Sequence, residues 1–128
     1  MSNIPPDLKY TKDHEYVRAG SDGVLTVGIT DFAQGELGDV VFVNLPKPGE
    51  RVTAHQPFGT IEAVKAVSEL FSPVTGVVAD INGVLDGDPA AVNRDPYGEG
   101  WMVRLKADDP GELNDLLGAD AYKNQIGE

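Results

Sequence analysis

The sequence contains no cysteine, and this absence removes several kinds of chemistry at once. Protein disulfides, thiolate nucleophiles, iron–sulfur clusters and cysteine-ligated zinc are all excluded. The two histidines, His14 and His55, lie far apart in sequence, and neither belongs to a metal-spaced cluster or accompanies a G-x-S-x-G motif. We therefore expect the chain to form no catalytic site and no metal site of its own, so any redox chemistry must come from an attached cofactor.

Basic residues are scarce, because 10 Lys and Arg stand against 21 Asp and Glu, for a formal net charge of −11. This charge opposes binding to nucleic acid and to anionic membranes. No apolar run approaches the roughly 18 residues that span a bilayer, and the first residues lack the features of a secretory signal. These absences predict a cytoplasmic protein. The acidity itself has two interpretations, simple solubility or steering of a carrier towards basic entrances on its partners.

What the sequence does contain is a series of short β-rich runs, separated by glycine, proline, asparagine and aspartate. Clear runs occupy Val24–Ile29 and residues 40–45 and 101–106, and breaks such as Asp86-Gly-Asp-Pro89 predict turns. With 128 residues the chain has the common size of one domain. We predict a single domain over residues 1–128, whose β-rich body at about 10–106 forms an antiparallel sandwich or barrel.

Two helical segments interrupt the β pattern. The first is Asp31-Phe-Ala-Gln-Gly-Glu-Leu37, with Asp31 as the expected cap and Gly38 as the expected end. The second covers about residues 109–126 and begins with an acidic cap followed by proline in the first turn; Gly118 is expected to close its first part. The single tryptophan, Trp101, is predicted to anchor the core.

The central segment, residues 58–76, has an ambiguous periodicity. Ile61, Val64 and Phe71 fall at helical spacing among good helix formers, so propensity alone favours an amphipathic helix. In that interpretation Lys65 is an ordinary solvated lysine.

A resemblance to a known family changes this interpretation. Glu62-Ala-Val-Lys-Ala66, followed by Ser72-Pro-Val-Thr-Gly76, resembles the modified hairpin of lipoyl-bearing proteins, in which the lysine sits at an exposed β-turn. Four further blocks are similar to successive blocks of the glycine cleavage H-protein family: Tyr10-Thr-Lys-Asp-His-Glu-Tyr-Val17, Val27-Gly-Ile-Thr-Asp-Phe-Ala-Gln34, Leu37-Gly-Asp-Val-Val-Phe-Val43 and Val92-Asn-Arg-Asp-Pro-Tyr-Gly-Glu-Gly-Trp101. Several blocks in the same order are far more specific than one lysine motif.

The resemblance implies a fold, a cofactor and partners. The fold would be a lipoyl/biotinyl-carrier-like antiparallel β-sandwich, or flattened barrel, with short peripheral helices. Lipoate would be joined to Lys65 as N6-lipoyllysine by a lipoate ligase or an octanoyl or lipoyl transferase. A pyridoxal-phosphate glycine decarboxylase would load an aminomethyl group, an aminomethyltransferase would pass its carbon to tetrahydrofolate, and dihydrolipoyl dehydrogenase would reoxidise the dithiol. The carrier itself would be no enzyme.

Three glutamates are implicated by their positions in the family pattern. Glu62 matches part of the mark for lipoate attachment, while Glu15 and Glu69 match acidic positions close to the loaded arm. The alternative is that all three are ordinary surface charges. Ala63 departs from the family pattern, in which serine is common, and this bears on acceptance by the attaching enzyme.

Three other functions fit parts of the same pattern. An H-like relay protein would donate its lipoyl group to 2-oxoacid dehydrogenases, and the sequence does not separate it from the glycine carrier. A biotin carrier typically has methionines beside its lysine, whereas Lys65 lies between Val64 and Ala66. The third alternative is an unmodified β-rich binding module.

Overall fold

The computed structural model describes residues 3–20 and 22–128, and these residues form a mainly β fold. The elements run in the order β1 (Lys9–Tyr10), β2 (Glu15–Ala19), β3 (Val24–Ile29), α1 (Asp31–Leu37), β4 (Val40–Asn44), β5 (Arg51–Val52), β6 (Pro57–Ala63), β7 (Val67–Phe71), β8 (Gly76–Ile81), α2 (Val84–Gly87), α3 (Ala91–Arg94), β9 (Val103–Ala107) and α4 (Ala119–Ile126). Within the described part of the chain, no helix has the length and apolar character needed to cross a membrane.

The strands form two antiparallel sheets. One has six strands in the order β1-β2-β3-β9-β8-β5, and the other has three strands in the order β4-β6-β7. Buried side chains from both sheets meet in one cluster, which includes Ile29 of β3, Val43 of β4 and Ile61 of β6. Burial of this apolar surface drives the association of the sheets. The predicted mainly β antiparallel fold with a C-terminal helix is confirmed.

The ambiguous central segment is a β-hairpin, so the helical interpretation is wrong. Strands β6 and β7 pair in a register that places Glu62 opposite Val67 and Ile61 opposite Ser68. Strand β4 pairs with the other edge of β6. The chain approaches β4 so closely at Gly59 that a β-carbon there would collide with the carbonyl oxygen of Asn44. Neighbouring strands therefore override the helical propensity of the segment.

Helix α1 has the predicted bounds but a different cap. The hydroxyl of Thr30, rather than Asp31, accepts a hydrogen bond from the backbone N–H of Ala33 at 3.2 Å. The carboxylate of Asp31 instead accepts from the side-chain amide of Gln34 at 2.8 Å. Gly38 ends the helix as expected, with a positive φ of 80°. The N-cap is therefore Thr30, one residue before the predicted position, because the extended backbone of Thr30 is the conformation that an N-cap residue adopts.

The C-terminal helical region is split into two pieces. A 3-10 helix covers Pro110–Asp115 and is capped by Asp109, and α4 follows after a break. Leu117 lies in that break because its backbone pairs with Tyr10 in both directions at 2.8 Å. Gly118 is the N-cap of α4 and does not close the preceding 3-10 helix, whose C-cap is Leu116, contrary to the prediction.

Two short helices lie where the sequence predicted only turns. Helices α2 and α3 begin on either side of the predicted Asp86-Gly-Asp-Pro89 turn, and they bury Leu85, Ala91 and Val92.

The prediction that Trp101 anchors the core is wrong. Its ring is half-buried and lies 4.2 Å from the guanidinium carbon of Arg104, while its neighbour Met102 fills the core. Neighbouring residues of extended chain point to opposite sides.

Candidate functional site

Lys65 lies at the tip of the β6–β7 hairpin and is exposed. The backbone N–H of Ala63 donates to the carbonyl of Ala66 at 2.9 Å, which leaves Val64 and Lys65 as the two residues of the turn. Among the side chains of residues 3–20 and 22–128, none forms a hydrogen bond or an ion pair with the Lys65 amine. The amine is thus accessible to an enzyme without any unfolding of the chain.

A cleft of about 420 Å³ lies beside this hairpin, between α1, β2, β3, β6 and β7. Its apolar wall consists of Ile29, Phe32, Ala33, Leu37, Ile61 and Leu70. Its polar groups are Asp13, His14, Glu15, Glu36, Ser68 and Glu69. The cleft is therefore largely apolar with several carboxyl groups, which suits a long apolar chain that ends in a cationic group.

Glu15 lies in the wall of the cleft and is 2% exposed. The Thr11 hydroxyl donates to one carboxyl oxygen at 3.0 Å, and the backbone N–H of Phe71 donates to the other at 3.3 Å. Burial raises the pKa of Glu15 to about 8, and these two hydrogen bonds only partly offset that rise. At neutral pH the Glu15 carboxyl is therefore mostly protonated.

The structure places Glu15 and Glu69 in the lining of the same cleft. Glu62 is not among the described residues that line it. Glu62 instead pairs across the strands with Phe42 on β4 and Val67 on β7, within a few residues of Lys65. Glu15 and Glu69 therefore line the cleft, whereas Glu62 lies outside it, on β6 close to Lys65.

His14 lies at the cleft and contacts the C-terminal helix. Its ring lines the cleft, and its Nδ1 lies 2.9 Å from the hydroxyl of Tyr122 on α4. That hydroxyl also lies 2.8 Å from Oγ1 of Thr30, the cap of α1. Burial lowers the pKa of His14, which favours the neutral ring. The C-terminal helix thus holds both His14 and the start of α1 at the cleft.

Sequence reasoning missed α1 as a wall of the cleft. The sequence predicted the bounds and the cap of α1 but no functional role for it, yet α1 contributes Phe32, Ala33 and Leu37 to the apolar lining. The only local signal was the apolar spacing of these side chains, which also fits packing against a core. Only the position of α1 against the second sheet shows that these side chains line a cleft instead of filling the core.

Exposed apolar side chains surround Lys65. Val64 is 72% exposed and Val67 is 67% exposed on the hairpin itself, and Val41 and Phe42 are exposed on the neighbouring strand β4. Exposed apolar side chains gathered in one place are typical of a surface that contacts other proteins. Val64 directly precedes Lys65, and Phe42 and Val67 both pair with Glu62 on β6, so these apolar side chains lie near the tip of the hairpin.

Comparisons with known proteins identify the family. The family model described as glycine cleavage H-protein matches residues 8–128. The chain belongs to this family. The glycine cleavage system H protein of Chlorobium limicola is 55% identical over 98% of this chain and 99% of its own. That of Staphylococcus carnosus is 50% identical, with 98% of each chain covered.

A solved structure of the glycine cleavage H-protein family has the same fold. The crystal structure of a glycine cleavage system H protein from Mycobacterium marinum matches with a TM-score of 0.89 and 42% identity, over 98% of this chain and 100% of that one. Membership in the family and its fold, both predicted from short sequence blocks, are therefore confirmed.

Proposed function

We propose that this chain is the lipoyl-bearing carrier of a glycine cleavage system, with lipoate joined by an amide to Nζ of Lys65. The observation that carries the proposal is the unpaired Lys65 amine at the exposed tip of a β-hairpin, in a chain whose relatives are H proteins. Those relatives favour the glycine carrier over the lipoyl relay and over an unmodified binding module.

The residues around Lys65 fit a lipoyl group. The amine is free for acylation, and the adjoining cleft offers an apolar wall for an acyl chain. When bound, lipoate supplies a disulfide that accepts an aminomethyl group and is afterwards recovered by oxidation of the dithiol. The chain provides an accessible amine, a flexible lysine side chain that tethers the lipoyl group, and a cleft that can cover its loaded end. We propose no catalytic residue for it.

The chain's own residues would then receive the loaded end of the arm. Phe32, Leu37 and Leu70 exclude water from the apolar part of the cleft, which slows hydrolysis. A cationic amine near Glu15 stabilises the ionised carboxyl, so its proton leaves when the cation arrives. Glu69, at the exposed side of the same cleft, adds a second negative charge.

The partners follow from the carrier role. A pyridoxal-phosphate glycine decarboxylase, an aminomethyltransferase and dihydrolipoyl dehydrogenase would each meet the arm, and a lipoate ligase or an octanoyl or lipoyl transferase would attach it. Glu62 lies on the hairpin close to Lys65, where an attaching enzyme must bind, and the exposed apolar side chains around it support a shared docking surface.

The intact mass of the chain purified from cells that attach lipoate tests this function directly. We expect one added lipoyl group, located by peptide mapping at Lys65, because this amine is exposed and unpaired. Protein from cells unable to attach lipoate is the control and should have the unmodified mass. An unmodified mass from both sources would contradict the proposal.

The proposed roles of Glu15 and Glu69 predict that removing their charges speeds hydrolysis of the aminomethyl group from the loaded arm. We call the rate of this hydrolysis the leak rate. The double variant Glu15→Gln/Glu69→Gln should accept lipoate normally. Once loaded, it should release ammonia and formaldehyde about tenfold faster than the parent when no aminomethyltransferase is present, because two charge-assisted contacts are lost.

The matched control is Glu50→Gln/Glu99→Gln, which removes two charges outside the cleft. Its leak rate should equal that of the parent. Equal leak rates for both double variants would mean that Glu15 and Glu69 do not hold the arm.

A further inference from the structure

The segment that joins α1 to β4, residues 38–40, lies directly beneath Lys65. A β-carbon added to Gly38 would lie 3.4 Å from both Cγ and Cδ of Lys65 and 3.5 Å from its Cε. The lysine stem therefore rests along the open side of this glycine. Leu37, the residue before Gly38, lines the cleft, so the same stretch of chain adjoins both the cleft and the lysine stem.

The same segment also holds the turn of the hairpin. The carbonyl oxygen of Asp39 accepts a hydrogen bond from the backbone N–H of Val64 at 2.9 Å. Val64 directly precedes Lys65 in the two-residue turn. The position of residues 38–40 therefore sets both the backbone before Lys65 and the surface on which its side chain lies.

One side chain, Asn93 on α3, holds this segment on both sides of Asp39. Its side-chain N–H donates to the carbonyl of Gly38 at 2.9 Å, and its oxygen accepts from the backbone N–H of Val40 at 2.8 Å. The same carboxamide nitrogen lies 3.0 Å from the side-chain oxygen of Gln34 on α1. One carboxamide thus joins the end of α1, the loop and the start of β4.

We propose that Asn93 is a positioning residue for the lysine that carries the cofactor. It fixes residues 38–40, and through them the Val64 backbone and the direction in which the Lys65 stem leaves the hairpin. The lysine stem has several rotatable bonds, so a fixed surface beneath it limits the directions that the arm must sample. The identity of the group on Lys65 rests on the proposed function, whereas the geometry belongs to the unmodified chain.

The test uses the unmodified full-length chain, so that it does not depend on lipoate. In Asn93→Ala, hydrogen exchange of the Val64 amide should become about tenfold faster relative to that of Ala63, because residues 38–40 lose their anchor. Carbon relaxation of the Lys65 Cδ and Cε methylenes should show larger-amplitude motion. With a purified lipoate ligase, lipoate and ATP, the KM for the chain should rise while kcat stays within about twofold.

Asn82→Ala is the matched control, since Asn82 also makes three hydrogen bonds, to Glu99, Trp101 and Val84, away from the hairpin. It should lower stability similarly and leave the Val64 to Ala63 exchange ratio and the Lys65 relaxation at parent values. If Asn82→Ala changes both as much as Asn93→Ala, or if neither variant changes them, the proposal is overturned.

A second variant keeps the test decisive if Asn93→Ala fails to fold. Asn93→Asp retains an acceptor for the Val40 N–H and loses the donor to Gly38, so the exchange ratio should move in the same direction. Parent values in Asn93→Asp would contradict the proposal. Failure of the parent chain to gain lipoate would instead overturn the proposed function and leave these exchange and relaxation results valid.

Discussion

Lys65→Arg is expected to abolish lipoyl attachment completely while leaving the fold unchanged. Arginine keeps the positive charge and a long stem, but its guanidinium stays protonated and does not form the lipoate amide. The fold should be unaffected because the Lys65 amine forms no hydrogen bond or ion pair with the described side chains. The measurement is the intact mass after co-expression with a lipoate ligase, together with the melting temperature.

Lys123→Arg is the control, since Lys123 is an exposed lysine on α4, outside the hairpin. This variant should gain the lipoyl mass as the parent does. A lipoyl mass on the Lys65→Arg protein would mean that another amine is the acceptor, and the assignment of Lys65 would be wrong.

Glu15→Gln is expected to make the protein more stable than the parent at alkaline pH. Burial raises the pKa of this carboxyl from 4.5 to about 8, so the folded chain retains a proton that the unfolded chain loses. The stability contributed by the neutral group is complete below pH 4.5 and is lost as the pH rises to about 8. The loss is on the order of 4 kcal/mol, and glutamine does not incur it because it has no proton to release.

Urea unfolding between pH 4 and pH 9 would measure this difference. The free energy of unfolding of Glu15→Gln should exceed that of the parent by an amount that grows through this range. The isosteric amide keeps the volume of the buried side chain, and its single oxygen can still accept one of the two hydrogen bonds that the carboxyl accepts from the Thr11 hydroxyl and the Phe71 N–H. Glu50→Gln, an exposed change, should follow the parent curve. Parallel curves for the parent and Glu15→Gln would show that the buried carboxyl is not neutral in the folded state.

Much of the fold could be predicted from local sequence. The strand Val24–Ile29 has the predicted bounds, and the predicted strand at 40–45 ends one residue earlier, at Asn44. These runs combine β-branched residues with clear breaks on both sides, and such signals act locally. Helices α2 and α3 were missed because each is only four residues long and is stabilised by burial of Leu85, Ala91 and Val92.

The central hairpin needed more than local pattern. Its residues have helical spacing, and only the resemblance to lipoyl-bearing proteins predicted a turn at Lys65. In the structure the pairing of β6 with β4 and β7 decides the conformation. Such partners contribute hydrogen bonds and burial that no single-segment propensity includes.

The sequence by itself determined the family, the strand-rich architecture and the candidate lysine, because these depend on residue types in order along the chain. Only the tertiary structure decided what surrounds the lysine. Glu15 meets the backbone of Phe71 from 56 residues away, and Asn93 reaches Gly38 across 55 residues. The raised pKa of Glu15 and the anchored surface beneath Lys65 both arise from burial and hydrogen bonds between distant segments, and those contacts exist only once the two sheets have packed.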